Sequence, residues 1–161
     1  MKKLINYLNK GEEILASSLL ILTSLLVFVQ VVLRYQFNYS ISWSEELSRI
    51  MIAWFIFLGS SMAVKDNAHV NMDALFILTS GKFKQILSIL IDFINIIFCI
   101  LIVIAGVEMI QSAIDIGSKA TSINIPLYVP YASVPVGVFL MMIRYIFSIK
   151  NKILDLINGN I

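Results

Sequence analysis

The sequence predicts an all-α integral membrane domain of four transmembrane helices. Three observations carry that expectation. The 161 residues are 59 % apolar and 14 % charged, against about 45–50 % and about 25 % in an ordinary soluble domain. Four apolar stretches, 14–33, 47–64, 86–107 and 127–149, approach or exceed the roughly 20 residues a helix needs to cross the hydrocarbon core. Basic residues are also distributed unevenly among the connecting segments. With a cytoplasmic N-terminus, nine of them (Lys2, Lys3, Lys10, Lys65, Lys82, Lys84, Arg144, Lys150 and Lys152) lie inside and three (Arg34, Arg49 and Lys119) outside. Such a bias sets orientation, so both termini are expected inside.

The first span follows Lys2 and Lys3 but is too long for a signal-peptide core of about 7–15 residues. No small-x-small cleavage pattern ends it, so it is expected to be a retained helix. The second opens on 42-SWSEELSR-49. The third is the most apolar, its run 93–106 interrupted only by Asn95. A soluble bundle would show a polar face on every helix, and a membrane barrel would alternate apolar and polar residues; neither pattern is present. The fourth begins with Pro126 and Pro130, both suited to a helix start, and contains Pro135, which removes a backbone donor and is expected to bend the helix. Tyr35, Tyr39, Trp43, Tyr128 and Tyr131 form an expected aromatic belt at the outer interface. Residues 2–12, 69–80 and the tail from Asn151 carry apolar residues between polar ones, as short interfacial amphipathic helices do.

The residues able to carry chemistry are few. One Cys (Cys99) and one His (His69) exclude an internal disulfide, a thiolate metal site and paired His ligands to haem. No nucleophile–base set, phosphate loop or metal cluster is present, so no enzyme, metal or cofactor is predicted. The dispersed net charge of +2 gives no nucleic-acid footprint.

Ser42 and Glu45 have capping-box spacing, and Glu45 and Glu46 suit the positive end of the helix dipole. The ordinary reading is a well-made helix start with Trp43 as an anchor; the functional one is a partner-facing cluster. Arg49 stands one turn past Glu45, close enough to pair with it, yet at the edge of the hydrocarbon, where a charge is a functional candidate. Asp92, Asn95, Cys99, Ile102 and Gly106 share one face of the third span. That face reads as a seam between helices, with Asp92 near a helix start or paired to Lys82 or Lys84. The sharper alternative is an ion or proton site. A proton pathway normally shows carboxylates at several depths, and Asp92 stands alone. Gly59 and Ala63, and likewise Ser17 and Ser24, have spacings that let helices approach.

The order of these features resembles the small membrane subunit of TRAP (tripartite ATP-independent periplasmic) transporters, the DctQ-like family. The match rests on Trp43–Arg49, the run Gly59–Lys65, His69 with Val70 and Asp73, and Ile125, Pro126, Tyr128, Val134, Pro135 and Gly137 followed by Arg144. It spans essentially the whole chain. It implies a bacterial inner-membrane protein that partners a large many-span permease subunit and a periplasmic substrate-binding protein. The complex would import organic acids, carboxylates such as C4-dicarboxylates or sialic acids, on a sodium gradient coupled in the large subunit. The small subunit would serve as a fixed scaffold, with phospholipid held between the subunits. Carried over, Trp43, Glu45, Glu46, Arg49, Pro130 and Pro135 would form interface or structural motifs, and His69 and Asp73 would orient the cytoplasmic interfacial helix. The rival reading is a self-sufficient homo-oligomeric transporter or channel, with Asp92 or Arg49 in its pathway.

Overall fold

The structure is a computed structural model that describes the backbone of residues 2–65 and 82–157 and the side chains of residues 9–64 and 86–154. Five helices occupy them: α1 (Lys2–Phe37), α2 (Ser42–Lys65), α3 (Lys82–Ile116), a single turn α4 (Tyr128–Tyr131) and α5 (Ser133–Ile157). α1, α2, α3 and α5 each contain a stretch long and apolar enough to cross a membrane. The expected interfacial segment 69–80, with His69 and Asp73, lies outside the described residues.

Two of the expected interfacial helices do not form separately. Residues 2–12 are continuous with the first span, and residues 151–157 continue the last. With 36 residues at about 1.5 Å each, α1 far exceeds the roughly 30 Å hydrocarbon core. Its amphipathic start is the projecting end of one rod, because the helix runs unbroken through Gly11, with no proline or cap to end it there. Asn38, at φ 50°, ends α1, as a left-handed residue just past a helix commonly does.

Helix order follows from connection length. Residues 38–41 join α1 to α2 as an antiparallel pair. α2 then packs on α5, and α5 on α3. The sequence order is thus rearranged into a row, α1–α2–α5–α3, rather than a bundle around a central core. α1 and α3 form its edges. The loops 38–41 and 117–127 meet at one end of the row, here the loop end; the N-terminal part of α1 and the end of α5 meet at the other, the terminal end.

Each edge helix turns a narrow stripe inward. On α1 the less exposed positions are Glu12, Ala16, Leu19, Thr23, Leu26, Gln30 and Leu33, alternating steps of four and three. On α3 they include Ser88, Asp92, Asn95, Cys99, Ile102, Gly106 and Ala113. This is the repeat of helices packed knobs-into-holes. The α1 seam is therefore one residue from the expected one: Ser17 and Ser24 are exposed, while Ala16 and Thr23 are buried. The densest packing surrounds α5, where Val64 of α2, Cys99 of α3 and Val138 and Tyr145 of α5 form the core.

Glycine fixes two close approaches. A Cβ on Gly137 of α5 would lie 2.5 Å from Phe57 Cβ and 2.9 Å from its carbonyl, so only glycine lets α5 lie against α2. A Cβ on Gly106 of α3 would lie 3.1 Å from Pro135 Cδ. At Gly59, by contrast, a Cβ would meet no atom within 4 Å. The seam expected at Gly59 and Ala63 is not a close contact within this chain at Gly59; α2 meets α5 through Phe57 instead.

The fourth span is interrupted near its start. Pro135 has no N–H to offer the carbonyl of Tyr131, four residues earlier, and the helix breaks at Ala132, between α4 and α5. Ser133 Oγ donates to the Pro130 carbonyl at 2.7 Å across that break. The expected effect of Pro135 thus falls one turn upstream of the ring.

Candidate functional site

Most of the buried hydroxyls inside the row are closed locally, while Ser61 Oγ of α2 is buried without a partner. Thr23 donates to the Leu19 carbonyl at 2.7 Å, Ser44 to Ile41 at 2.8 Å and Ser48 to Ser44 at 2.7 Å. A hydroxyl that returns to nearby backbone three or four residues earlier hides its polarity from lipid. These groups narrow the seams without lining a path.

The loop end is built around the two acids of α2. Glu45 Oε1 accepts from Gln30 Nε2 of α1 at 3.0 Å and lies 4.0 Å from Arg34 Nη1. It does not pair with Arg49, nor does Ser42 complete the capping box. Glu46 faces the other way. Its Oε2 accepts from the backbone N–H of Ser122 at 2.8 Å and Ile123 at 3.0 Å, and its Oε1 from the Thr121 N–H at 2.9 Å and hydroxyl. One acid holds α1 and its neighbour holds the long loop.

That loop is shaped before Glu46 grips it. Gly117, at φ 66°, terminates α3: Ser118 N–H reaches the Ala113 carbonyl at 3.1 Å and Gly117 N–H that of Ile114 at 3.0 Å, the two bonds of a Schellman cap. The strand-like pairing of Lys119 with Pro126 then closes the loop, with Ala120 N–H on Ile125 O at 2.9 Å and Leu127 N–H on Ser118 O at 3.0 Å. Between loop, α2 and α4 lies a cavity of about 350 Å³, lined by Arg49, Ile50, Lys119, Leu127, Pro130 and Tyr131 among others. Arg49 and Lys119 are both exposed. Among the described residues neither has a hydrogen-bond or ion-pair partner.

The terminal end is organised by opposite means. Asp92 of α3 is buried and accepts from Ser148 Oγ at 2.9 Å and Lys152 Nζ at 2.5 Å, both on α5. Its partner is thus Lys152, not the Lys82 or Lys84 expected from proximity in sequence. Arg144 of α5 reaches past α2 to Glu12 and to Asn9 Oδ1 of α1, the latter at 3.0 Å; its Nη1 is buried without a partner. α5 therefore ties itself to both edge helices.

Of the other sequence candidates, Trp43 is half-exposed at the loop end. Asn95 and Ala63 are partly buried, and Pro130 lines the cavity. Sequence reasoning did not single out Thr121, and it gave Lys119 and Gly137 no role at a site. A threonine–serine pair in a loop is weak evidence of a carboxylate receptor, and nothing local to Gly137 identifies Phe57 as its neighbour.

Compared with known families, residues 23–154 match the model of the tripartite ATP-independent periplasmic transporters, DctQ component. The chain belongs to this family. It is a small permease component of a TRAP transporter, a multi-pass protein of the bacterial inner membrane and a transporter part rather than an enzyme. A protein of Haemophilus influenzae named as a TRAP transporter small permease is 37 % identical over 144 residues, covering 89 % of this chain and 88 % of that one. The C4-dicarboxylate TRAP transporter small permease protein DctQ of Vibrio cholerae is 25 % identical, covering 84 % and 68 %. The chain is also 29 % identical to part of the sialic acid TRAP transporter permease protein SiaT of Haemophilus influenzae, covering 87 % of this small permease but 22 % of SiaT.

Proposed function

We propose that this small permease is the fixed scaffold of a sodium-driven, binding-protein-dependent importer of organic acids. The substrate class is carboxylates of the kind named for its relatives, C4-dicarboxylates and sialic acid. The loop end faces the periplasm, both termini face the cytoplasm, and a large permease subunit carries the sodium and substrate sites. A periplasmic binding protein delivers the substrate. The similarity to one segment of the much longer SiaT supports a role beside such a large subunit.

The observation that carries the scaffold reading is where the polar groups go. Asp92, the buried carboxylate within the spans, is committed to Lys152 and Ser148. The seam hydroxyls of Thr23 and Ser48 bond to their own helix, and that of Ser44 to the Ile41 carbonyl just before it. A protein that moved cargo through itself would keep such groups open to a path. A row of helices fastened by α5 at one end and by Glu45 and Glu46 at the other suits a wall. Trp43, Glu45, Glu46 and Arg49 present that wall's periplasmic edge to the partners, Pro130 and Pro135 shape it, and His69 and Asp73 set the cytoplasmic segment. Phospholipid fills the inner-edge gap between the subunits.

Reconstitution tests this reading. Proteoliposomes with this chain alone are expected to show no uptake of labelled C4-dicarboxylate or sialic acid. Uptake is expected only with the large subunit, the binding protein and an inward sodium gradient together. Uptake by the chain alone that Asp92→Asn abolishes would establish the homo-oligomeric transporter instead. Alanine at Trp43, Glu45 and Arg49 is expected to weaken co-purification with the large subunit; unchanged assembly and uptake would remove the interface role from these residues.

A further inference from the structure

We infer that the loop-end cavity is a binding site for the phosphate and glycerol of a phospholipid from the leaflet on that side. The cavity is lined by two cations, Arg49 and Lys119, together with the apolar Ile50, Leu127 and Pro130 and with Tyr131. That combination suits an amphiphile: an anion for the cations, apolar matter for the rest. Its volume of about 350 Å³ falls at the lower end of the roughly 300–1,000 Å³ typical of small-ligand sites. It fits a headgroup and the first carbons of the chains, with the tails left in the bilayer.

The charge balance sets the sign of the ligand. Glu46 also lines the cavity, and it is the acid expected to neutralise Arg49. Both its oxygens are instead occupied by donors of Thr121, Ser122 and Ile123. Glu45, one turn before Arg49, is turned to Gln30 and Arg34 of α1. The two acids that could close the cavity electrostatically are thus spent on architecture. The same Glu46 bonds hold the loop that carries Lys119, so the grip that builds the site also leaves its cations open.

Depth selects the source of the anion. Tyr131 lines the cavity, and Trp43 and Tyr128 flank the same end of the row, half-exposed, as aromatic side chains are at headgroup level. Phosphodiesters are the dense anions there, and guanidinium offers them a paired donor set.

The test is retention of phosphatidylglycerol by the full chain, purified in detergent and measured by native mass spectrometry. Wild type is expected to keep one lipid more tightly than diacylglycerol, which has the same tails without phosphate. Removing one cation is expected to weaken retention by about tenfold, the worth of one charged hydrogen bond; Arg49→Gln with Lys119→Gln loses the lipid. Arg34→Gln, at the same end but outside the cavity, leaves retention unchanged. Ala120→Phe fills the cavity with both charges intact and is also expected to expel the lipid, so a misfolded double variant does not decide the outcome. Equal retention of diacylglycerol, or undiminished binding in Ala120→Phe, overturns the site. Displacement by millimolar inorganic phosphate overturns the lipid as its source and leaves a free-anion site. Retention unaltered by loss of both cations overturns the inference and frees them for an acidic side chain of a partner.

Discussion

The two ends of the helix row use charge in opposite ways. At the terminal end two acids meet a cation in a poorly hydrated place, Asp92 with Lys152 and Glu12 with Arg144. At the loop end the acids are exposed or nearly so, and Glu46 spends its oxygens on backbone N–H groups and a hydroxyl. Cations are left over there. The difference teaches that one end is welded shut by side-chain pairs, whereas the other is shaped by a loop and remains open to ligands. Between membrane helices apolar burial offers little extra driving force, because lipid tails are as apolar as the partner helix. Close packing and such polar ties therefore decide which neighbours a helix keeps.

The welded end should give the largest effects. Lys152→Met strands a carboxylate whose side chain is 5 % exposed, and removing one partner of a buried pair costs about 3–5 kcal/mol. The loss should appear as a lower midpoint of unfolding of the purified chain in detergent. Adding Asp92→Asn should recover most of it, since no unpaired charge then remains. If Lys152→Met unfolds like wild type, the pair does not fasten α3 to α5.

A second test compares two glycines on facing helices. Gly137→Ala drives a Cβ to 2.5 Å from Phe57 Cβ, and overpacking of this kind costs about 1–3 kcal/mol. Gly59→Ala places its methyl in open space and should leave the midpoint of the isolated chain unchanged. Should Gly59→Ala lower co-purification with the large subunit while sparing the chain alone, the open face of α2 at Gly59 meets that subunit.

At the loop end the expected effect is local. Glu46→Ala removes the acceptor shared by Thr121, Ser122 and Ile123, so their amides should exchange several-fold faster while those of α2 and α5 do not. Proteolysis within 117–127 should quicken in step. Equal protection in the variant would mean that the Gly117 cap and the Lys119–Pro126 pairing hold the loop without Glu46.

How much of this was legible in the sequence differs between the two ends and the spans. The spans were readable because length and apolarity are local properties, and the stripe Asp92, Cys99 and Gly106 on α3 is set by helical period alone. The row was not readable: that α5 inserts between α2 and α3 depends on Gly137 meeting Phe57, a contact across 80 positions. Pairing failed for a related reason. Lys82 and Lys84 are near Asp92 in sequence, but α3 and α5 run antiparallel, which brings Lys152 to its level. Glu45 similarly abandons Arg49, four residues away, for Gln30 and Arg34 on the preceding helix. The expected interfacial helix at 2–12 merged with α1 because amphipathic sequence specifies a face, not a break.

The smallest expected effect sharpens the contrast between the ends. Arg34 and Glu45 stand 4.0 Å apart with side chains 63 % and 45 % exposed. Exposed pairs of that kind contribute about 0.2–1 kcal/mol or less, because water screens the attraction and both side chains lose freedom. Gln30 already occupies the same Glu45 oxygen at 3.0 Å, so the carboxylate keeps a donor when Arg34 is replaced. Arg34→Gln should therefore shift the unfolding midpoint hardly at all, and raising the salt should not change wild type relative to the variant. A loss comparable to that of Lys152→Met would mean that Arg34 is buried against something in the membrane, and the loop end would then be as closed as the terminal one.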